Sequence, residues 1–411
     1  MLWLKLGWRN LRRNKRRTVI ELASISGSVF IAVFFTSFAF GTYAQMIESG
    51  VRIGSGHIGI YQRDYLQFRR VEQTIPVENL PGRLLEVPGV RAALARLYVP
   101  GLIRSSRSSS AAVFLGLDFY AEELLNPVLA RSRLIAGSIP ASDSPNGAVI
   151  GKKLAEELGI TVGNKFVIMT QGPGGEIASE LFRVSGIFRT GIREFDSGTV
   201  IVPRERLARM IGKEGDAHEI AVLLGSVRDI PRALPPVRAI VRSGPGAEAY
   251  DWKQAMPSIE DMIRLDRTSL FITVFFLYLI VGIGTVNTLL MSVMERTREF
   301  GVIRALGVRK SSILRMVGAE ALVLALTGVA LGVALFVLVG LYTSTKGIDI
   351  SSLLKAGGIA GTLIEPVIYT AWSIPATLAF GGAMVAVALA ASLYPAFHVI
   401  GIRPSEAMRK H

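Results

Sequence analysis

The sequence predicts an α-helical membrane protein with four transmembrane helices and one large α+β extracytoplasmic domain. Three observations predict it. Four long runs contain no charged residue, and Lys and Arg crowd the short segments beside those runs. A long polar stretch with alternating strand and helix signals separates the first run from the second. A mean hydropathy of +0.43, with 50% hydrophobic residues in 411, fits this mixture. Such a chain is too apolar to be wholly soluble and too polar to be embedded throughout.

The uncharged runs are Leu22–Ile47, Thr268–Met294, Ala321–Thr345 and Pro366–Ile402. A hydrocarbon core of ~30 Å takes about 20 helical residues at ~1.5 Å each, so each run holds one crossing. The spans are placed at 18–47, 268–294, 316–345 and 374–398. The first follows a basic start, as a secretory leader does. Its apolar run exceeds the ~7–15 residues of a leader core, so it is read as an uncleaved anchor.

Orientation follows from the cations in the short flanks. Residues 1–17 hold Lys5, Arg9, Arg12, Arg13, Lys15, Arg16 and Arg17. The segment 295–315 holds Arg296, Arg298, Arg304, Arg309, Lys310 and Arg315, and the tail 399–411 adds Arg403, Arg409 and Lys410. The loop 346–373 offers Lys346 and Lys355. Both termini and 295–315 are therefore expected in the cytoplasm, with 48–267 and 346–373 outside. Leu2–Arg17 mixes Leu2, Trp3, Leu6, Trp8 and Leu11 with cations, which fits an interfacial helix on the inner leaflet or a plain topogenic cluster.

In the outer region, Val113–Leu117, Phe166–Thr170, Leu181–Ile187 and Thr199–Val202 read as strands from their β-branched and aromatic content. Lys152–Leu158 and Arg204–Ile211 read as short helices. Gln171–Gly175 reads as a turn and Arg104–Ser110 as an exposed loop. Tyr250–Arg267 reads as one helix leading without a break into the second span. A bilobed α+β domain is expected.

A net charge of +14 and a pI near 10.2 raise the question of nucleic acid. The excess flanks apolar runs and no basic stripe with interleaved aromatics is present, so membrane lipid is the expected anionic partner, with no nucleic acid. There are no cysteines, and His57, His218, His398 and His411 are scattered. No metal site and no catalytic cluster is expected.

Met291–Arg315, MSVMERTREFGVIRALGVRKSSILR, carries the most information. It sets Glu295, Arg296, Arg298, Glu299 and Arg304 beside Phe300, Val302, Ile303 and Leu306. At helical spacing Glu295–Arg298 and Arg296–Glu299 pair at i,i+3, and Gly307 suits a helix C-cap. The pattern fits a short amphipathic docking helix joined to the second span, and it also fits a solvated charged loop. Span one is rich in Phe30, Phe34, Phe35, Phe38 and Phe40 and ends near Met46. Phe34, Phe38 and Met46 line a lateral cleft for acyl chains in one reading and form ordinary packing surface in the other. Glu21 and Glu320 lie near the inner face, with Arg17 and Arg315 as the expected partners.

MERTREFGVIRALGVRKSSI strongly resembles the coupling segment of the FtsX-like ABC permease superfamily, which includes MacB-type and lipoprotein-releasing, Lol-type permeases. LGWRNLRRNKRRT at 6–18 is similar to that superfamily's N-terminal helix. LYPAFHVIGIRPSEAMRK at 393–410, with Pro395, Pro404, Ala407 and Arg409, is similar to its closing pattern. VIGKKLAEELGITVGNKFVIM and FRVSGIFRTGIREFDSGTVIVP resemble its MacB-like periplasmic core domain. The resemblance spans nearly the whole chain, and by length and order the Lol-type fits best.

The resemblance implies a permease subunit of the bacterial inner membrane. It implies a second permease subunit in a homo- or heterodimer and cytoplasmic ABC ATPase subunits beneath. Glu295, Arg296, Arg298, Glu299, Phe300, Gly301, Arg304, Ala305 and Gly307 match the coupling motif and are implied to dock on the ATPase. ATP and Mg are implied on that partner and no cofactor on this chain. No G-x-x-x-x-G-K-[ST] occurs, since Gly151-Lys152 is followed by Lys153. The implied work is to transmit ATPase motion and release lipoproteins or other amphiphiles. Efflux with a periplasmic adaptor and control of a cell-wall hydrolase are the alternatives. The insert Gln171–Glu180 is shorter than the hairpin with which a Lol-type subunit recruits its carrier, so a periplasmic carrier or adaptor stays open.

Overall fold

A computed structural model describes residues 15–141, 144–172, 174–242, 246–351 and 367–401. The N-terminal interfacial segment before Lys15, Lys355 in the short loop, and Pro404, Ala407 and Arg409 of the tail lie outside the described residues. The chain divides into two units.

One unit is built from helices α1 (Lys15–Ile53), α2 (Pro257–Glu295), α3 (Thr297–Ala305), α4 (Lys310–Lys346) and α5 (Ile374–Gly401). All but α3 are long and apolar enough to cross a membrane. α1 and α2 have 39 residues each, roughly 58 Å at ~1.5 Å per residue, so both outlast a ~30 Å hydrocarbon core. Both run on into the other unit.

The bundle core forms because Ile25, Val29, Ala32 and Val33 share one face of α1. They pack on Val274 and Tyr278 of α2, Leu324 and Phe336 of α4, and Phe380 and Met384 of α5. Close approach of α4 to α1 needs glycine: a Cβ on Gly332 would lie 2.6 Å from the Ser26 carbonyl oxygen. The stretch entering α5 is held by the Ala371 amide donating to the Ser37 carbonyl at 2.9 Å and by Trp372 against Phe336.

The other unit is the α/β domain. Its strands are β1 (Ile58–Gln62), β2 (Val90–Arg104), β3 (Ser109–Leu117), β4 (Leu134–Gly137), β5 (Gly147–Gly151), β6 (Lys165–Gln171), β7 (Ile177–Phe188), β8 (Thr199–Pro203), β9 (Glu219–Leu224) and β10 (Ala247–Asp251). β2 is long enough to serve two lobes. Its first half pairs with β9 in the order β10-β1-β9-β2, beside the amphipathic helix Ile230–Arg242. Its second half pairs with β3, and the ladder continues through β8, β5 and β7 to β6. β6 then pairs back with β2, so six strands close a ring. Leu97, Val99, Phe114, Ile150, Phe166 and Val200 fill it, with helices Lys152–Leu158 and Arg204–Met210 contributing Leu154 and Leu207.

Two readings are corrected. The exposed loop is narrower than Arg104–Ser110, because Arg104 and Ser109 pair and the hairpin turns on Ser105–Ser108. Tyr250–Arg267 is not one helix. Tyr250 and Asp251 pair with Gly59 and Ile58 in β10, a single turn follows at Trp252–Ala255, and α2 starts afresh at Pro257. Met256, at φ −127° and ψ 64°, lies outside the α region, which a following proline disfavours.

Two buried histidines of this domain are held by hydrogen bonds to the main chain. His218 accepts from the Tyr98 amide at Nδ1 and bonds the Val71 carbonyl through Nε2 at 2.8 Å. His57 accepts from the Leu224 amide. Burial holds both imidazoles below the ordinary histidine value, and it pushes the Glu219 carboxyl above its own.

Candidate functional site

The candidate site is the link between α2 and α4. α2 stops at Glu295 because Arg296 leaves helical geometry at φ −108°, ψ 13°. Thr297 then opens α3, its hydroxyl donating back to the Met294 carbonyl at 2.8 Å. α3 ends at Ala305, and Gly307 takes φ +87°, a left-handed conformation that glycine adopts without strain. Arg309 is extended and α4 begins at Lys310. The segment is thus a separate short helix between two turns.

Phe300 pins it. The ring is 2% exposed and packs on Val293, Ile313, Val317, Ala396 and Val399, which joins α2, α4 and α5. The Arg296 guanidinium lies over that ring at 5.3 Å and pairs with Glu299 at 2.9 Å and Glu320 at 3.5 Å. Arg304 donates to the Ile400 carbonyl at 3.0 Å. Gly301 is buried beside Phe300.

These contacts sort the nine residues expected to dock into two groups. Arg296, Phe300, Gly301 and Arg304 fasten the helix to the bundle. Glu295, Arg298, Glu299, Ala305 and Gly307 are exposed, together with Val302, Leu306 and Val308. Charged and aliphatic groups thus share the exposed face of the helix.

Several expected pairings change partner. Arg296–Glu299 forms, but Glu295 meets Arg17 at 3.5 Å instead of Arg298. Buried Glu320 is reached by Arg296 and by the Ser292 hydroxyl at 3.4 Å, not by Arg315. Glu21, also buried, accepts from the Thr285 hydroxyl rather than from Arg17. With Arg17–Glu295 and the Tyr43 hydroxyl donating to Asp266, these contacts are polar rungs between α1 and α2.

The helices also leave an apolar groove of about 670 Å³ between α1, α2 and α5. Phe40, Phe271, Phe275, Tyr278 and Phe380 line it, and Arg267 stands at its end. The Tyr278 hydroxyl donates to the Phe380 carbonyl at 3.1 Å, and Gly282 lets α5 approach. The sequence pointed to other residues of span one. Phe34 stacks on Phe30 within the bundle core, Phe38 is half-buried outside the groove lining, and Met46 is buried in the α/β unit. No sequence motif marks Phe271, Phe275 or Phe380, since groove lining depends on which helix faces meet.

Four helices fit to cross a membrane, a short interhelical link and a large α/β domain make up the described chain. Residues 18–240 match the MacB-like periplasmic core domain and residues 271–404 match the FtsX-like permease C-terminal region. The chain belongs to this FtsX-like family of ABC transporter permeases and is an inner-membrane protein. It is 23% identical to the lipoprotein-releasing system transmembrane protein LolC of Xylella fastidiosa, over 99% of this chain and 98% of that one. It is 26% identical to the pyoverdine export ATP-binding/permease protein PvdT of Pseudomonas putida, over 89% of this chain. There the match spans 56%, about half, of the relative's length. Among solved structures, the periplasmic region of MacB from Actinobacillus actinomycetemcomitans is similar at 13% identity and a TM-score of 0.37, covering 52% of this chain and 97% of that one.

Proposed function

We propose that this chain is the permease subunit of an ABC transporter that carries motion from a partner ATPase across the membrane, and that it releases lipoproteins or similar amphiphiles from the outer leaflet. The observation that supports it most is the α2–α4 link, a helix pinned by Phe300 with an exposed charged face. A push on Arg298, Glu299 and Leu306 has a packed path into α2, α4 and α5. ATP and Mg bind the partner ATPase, a second permease subunit completes the pair, and the α/β domain lies on the far side from the ATPase. The apolar groove with Arg267 at its end suits acyl chains below an anionic group. Similarity to LolC along almost its full length favours lipoprotein release. Similarity to PvdT favours a second reading, efflux with an adaptor on the α/β domain.

The test is lipoprotein release from proteoliposomes holding this chain and the ATPase encoded beside it. ATP-dependent release, lost in Glu299→Lys, is the expected result. ATP hydrolysis without release, where a known extractor succeeds, overturns the lipoprotein reading and leaves efflux.

A further inference from the structure

The last turn of α1 lies within the α/β unit, where Ile53 packs against Leu115, Leu117, Val128 and Phe188. Only residues 54–57 separate it from β1. That link contains Gly54 and Gly56, the latter at φ +71°, and two glycines between a helix and a strand would ordinarily make a hinge.

Arg96 removes that freedom. Its side chain is fully buried. Nε and Nη2 donate to the two oxygens of Glu122 at 2.7 and 2.9 Å. Nη2 also donates to the Arg52 carbonyl at 2.9 Å, and Nη1 to the Ile53 carbonyl at 2.9 Å and to that of Gly54. The guanidinium's five N–H groups are all used. They meet carbonyls that a helix end leaves unpartnered, at the end of the macrodipole that favours a cation. Glu122 is steadied in turn by Asn126, whose Nδ2 donates to it at 2.7 Å.

An apolar plug would fill this site with less desolvation than a buried ion pair. A fork that grips three successive carbonyls does what a plug cannot: it holds the last turn of α1 in one orientation against β2. We propose that Arg96, oriented by Glu122, is a positioning residue that locks α1 to the α/β domain, so that displacement of the helix moves the domain as one piece. The proposal rests on the reading of this chain as a transmitter of ATPase motion.

The absence of cysteine makes site-specific labelling direct. In the full chain, in nanodiscs with its ATPase, Ala44→Cys and Leu124→Cys place spin labels at exposed positions on α1 and beside Glu122. A fluorophore at Leu124→Cys alone reports domain movement between nucleotide-free and vanadate-trapped states. Native Arg96 and Glu122 should give a narrow label distance, equal in both states, and a clear fluorescence response.

Arg96→Met should broaden the distance and cut the fluorescence response about ten-fold, within the range of coupling factors between sites. ATP hydrolysis should stay within about two-fold of the parent, because the catalytic partner is untouched. Glu122→Gln keeps the side-chain shape and carries the same test if Arg96→Met does not fold. A narrow distance and an undiminished response in the variants overturn the proposal alone. No nucleotide response in the parent chain sinks the transmission reading and this proposal with it.

Discussion

Arg304 donates a hydrogen bond to the main-chain carbonyl of Ile400 at 3.0 Å, so the α2–α4 link is tied to the last turn of α5. Arg304 is therefore a fastener, whereas Arg298, six residues earlier on the same helix, is exposed. The two arginines should fail differently.

Arg298→Glu should leave stability within about 0.5 kcal/mol, as surface changes do, and still weaken capture of the ATPase. Arg304→Ala should cost about 1.5–3 kcal/mol of local stability, the range for a hydrogen bond from a charged group. Copurification of the ATPase together with thermal melting of the permease in detergent separates the cases. Equal melting losses in both variants would show that the sorting of the two residues is wrong.

Phe300→Ala should loosen α3 by about 3–5 kcal/mol, the usual loss for a buried phenylalanine. Hydrogen exchange checks this: amides 297–305 should speed up strongly while the α/β domain is unaffected. Unchanged protection there would mean that Phe300 is not the pin.

Gly332→Val should drive α1 from α4, because a Cβ there meets the Ser26 carbonyl oxygen at 2.6 Å and the Val29 Cβ at 3.0 Å. Overpacking of this kind costs about 1–3 kcal/mol, and a lower melting temperature in detergent is expected. Gly318→Ala serves as the control, since a Cβ at Gly318 meets no atom within 4 Å.

The two buried histidines should lower the stability of the α/β domain in mild acid, against an opposite trend from Glu219, whose raised value makes the native state bind its proton more readily. Burial holds His57 and His218 below the ordinary value, so between their native values and about 6.5 the unfolded chain binds more protons than the native one. Their contribution is complete above about pH 6.5 and is lost as pH falls from there through the depressed native values. Melting of the full chain across pH 5 to 8 tests it. His218→Gln retains a donor and an acceptor and should flatten the slope; an unchanged slope would exclude His218 as a source.

Much of the architecture was legible because the lipid phase is a strict filter. The uncharged runs ending at Ile47, Met294 and Thr345 could hardly be anything but spans. The short helix between α2 and α4 was legible as a pattern, and the Arg296–Glu299 pair followed from i,i+3 spacing.

What stayed hidden depends on pairing between distant residues. Tyr250 and Asp251 look helical from their neighbours, but β1 supplies a ladder that local propensity does not display. Arg315 and Glu320 are near in sequence yet five apart on α4, which puts them on different faces. Arg296, across the turn, reaches Glu320 instead. Arg96 and Glu122 carry no motif, and nothing about either announces full burial. An arginine between Ala95 and Leu97, in a stretch rich in Ala, Leu and Val, was the hint available.

The ring of six strands has a consequence for the company this protein keeps. β2, β3, β8, β5, β7 and β6 each lie between two hydrogen-bonded neighbours, which leaves the four-residue β4, paired only with β7, as the edge this lobe offers a foreign strand among the described residues. Two such lobes crowded together at high local concentration have only that short strand through which to join a shared sheet. Away from β4, whatever grips that lobe meets side chains and turns rather than a free strand edge.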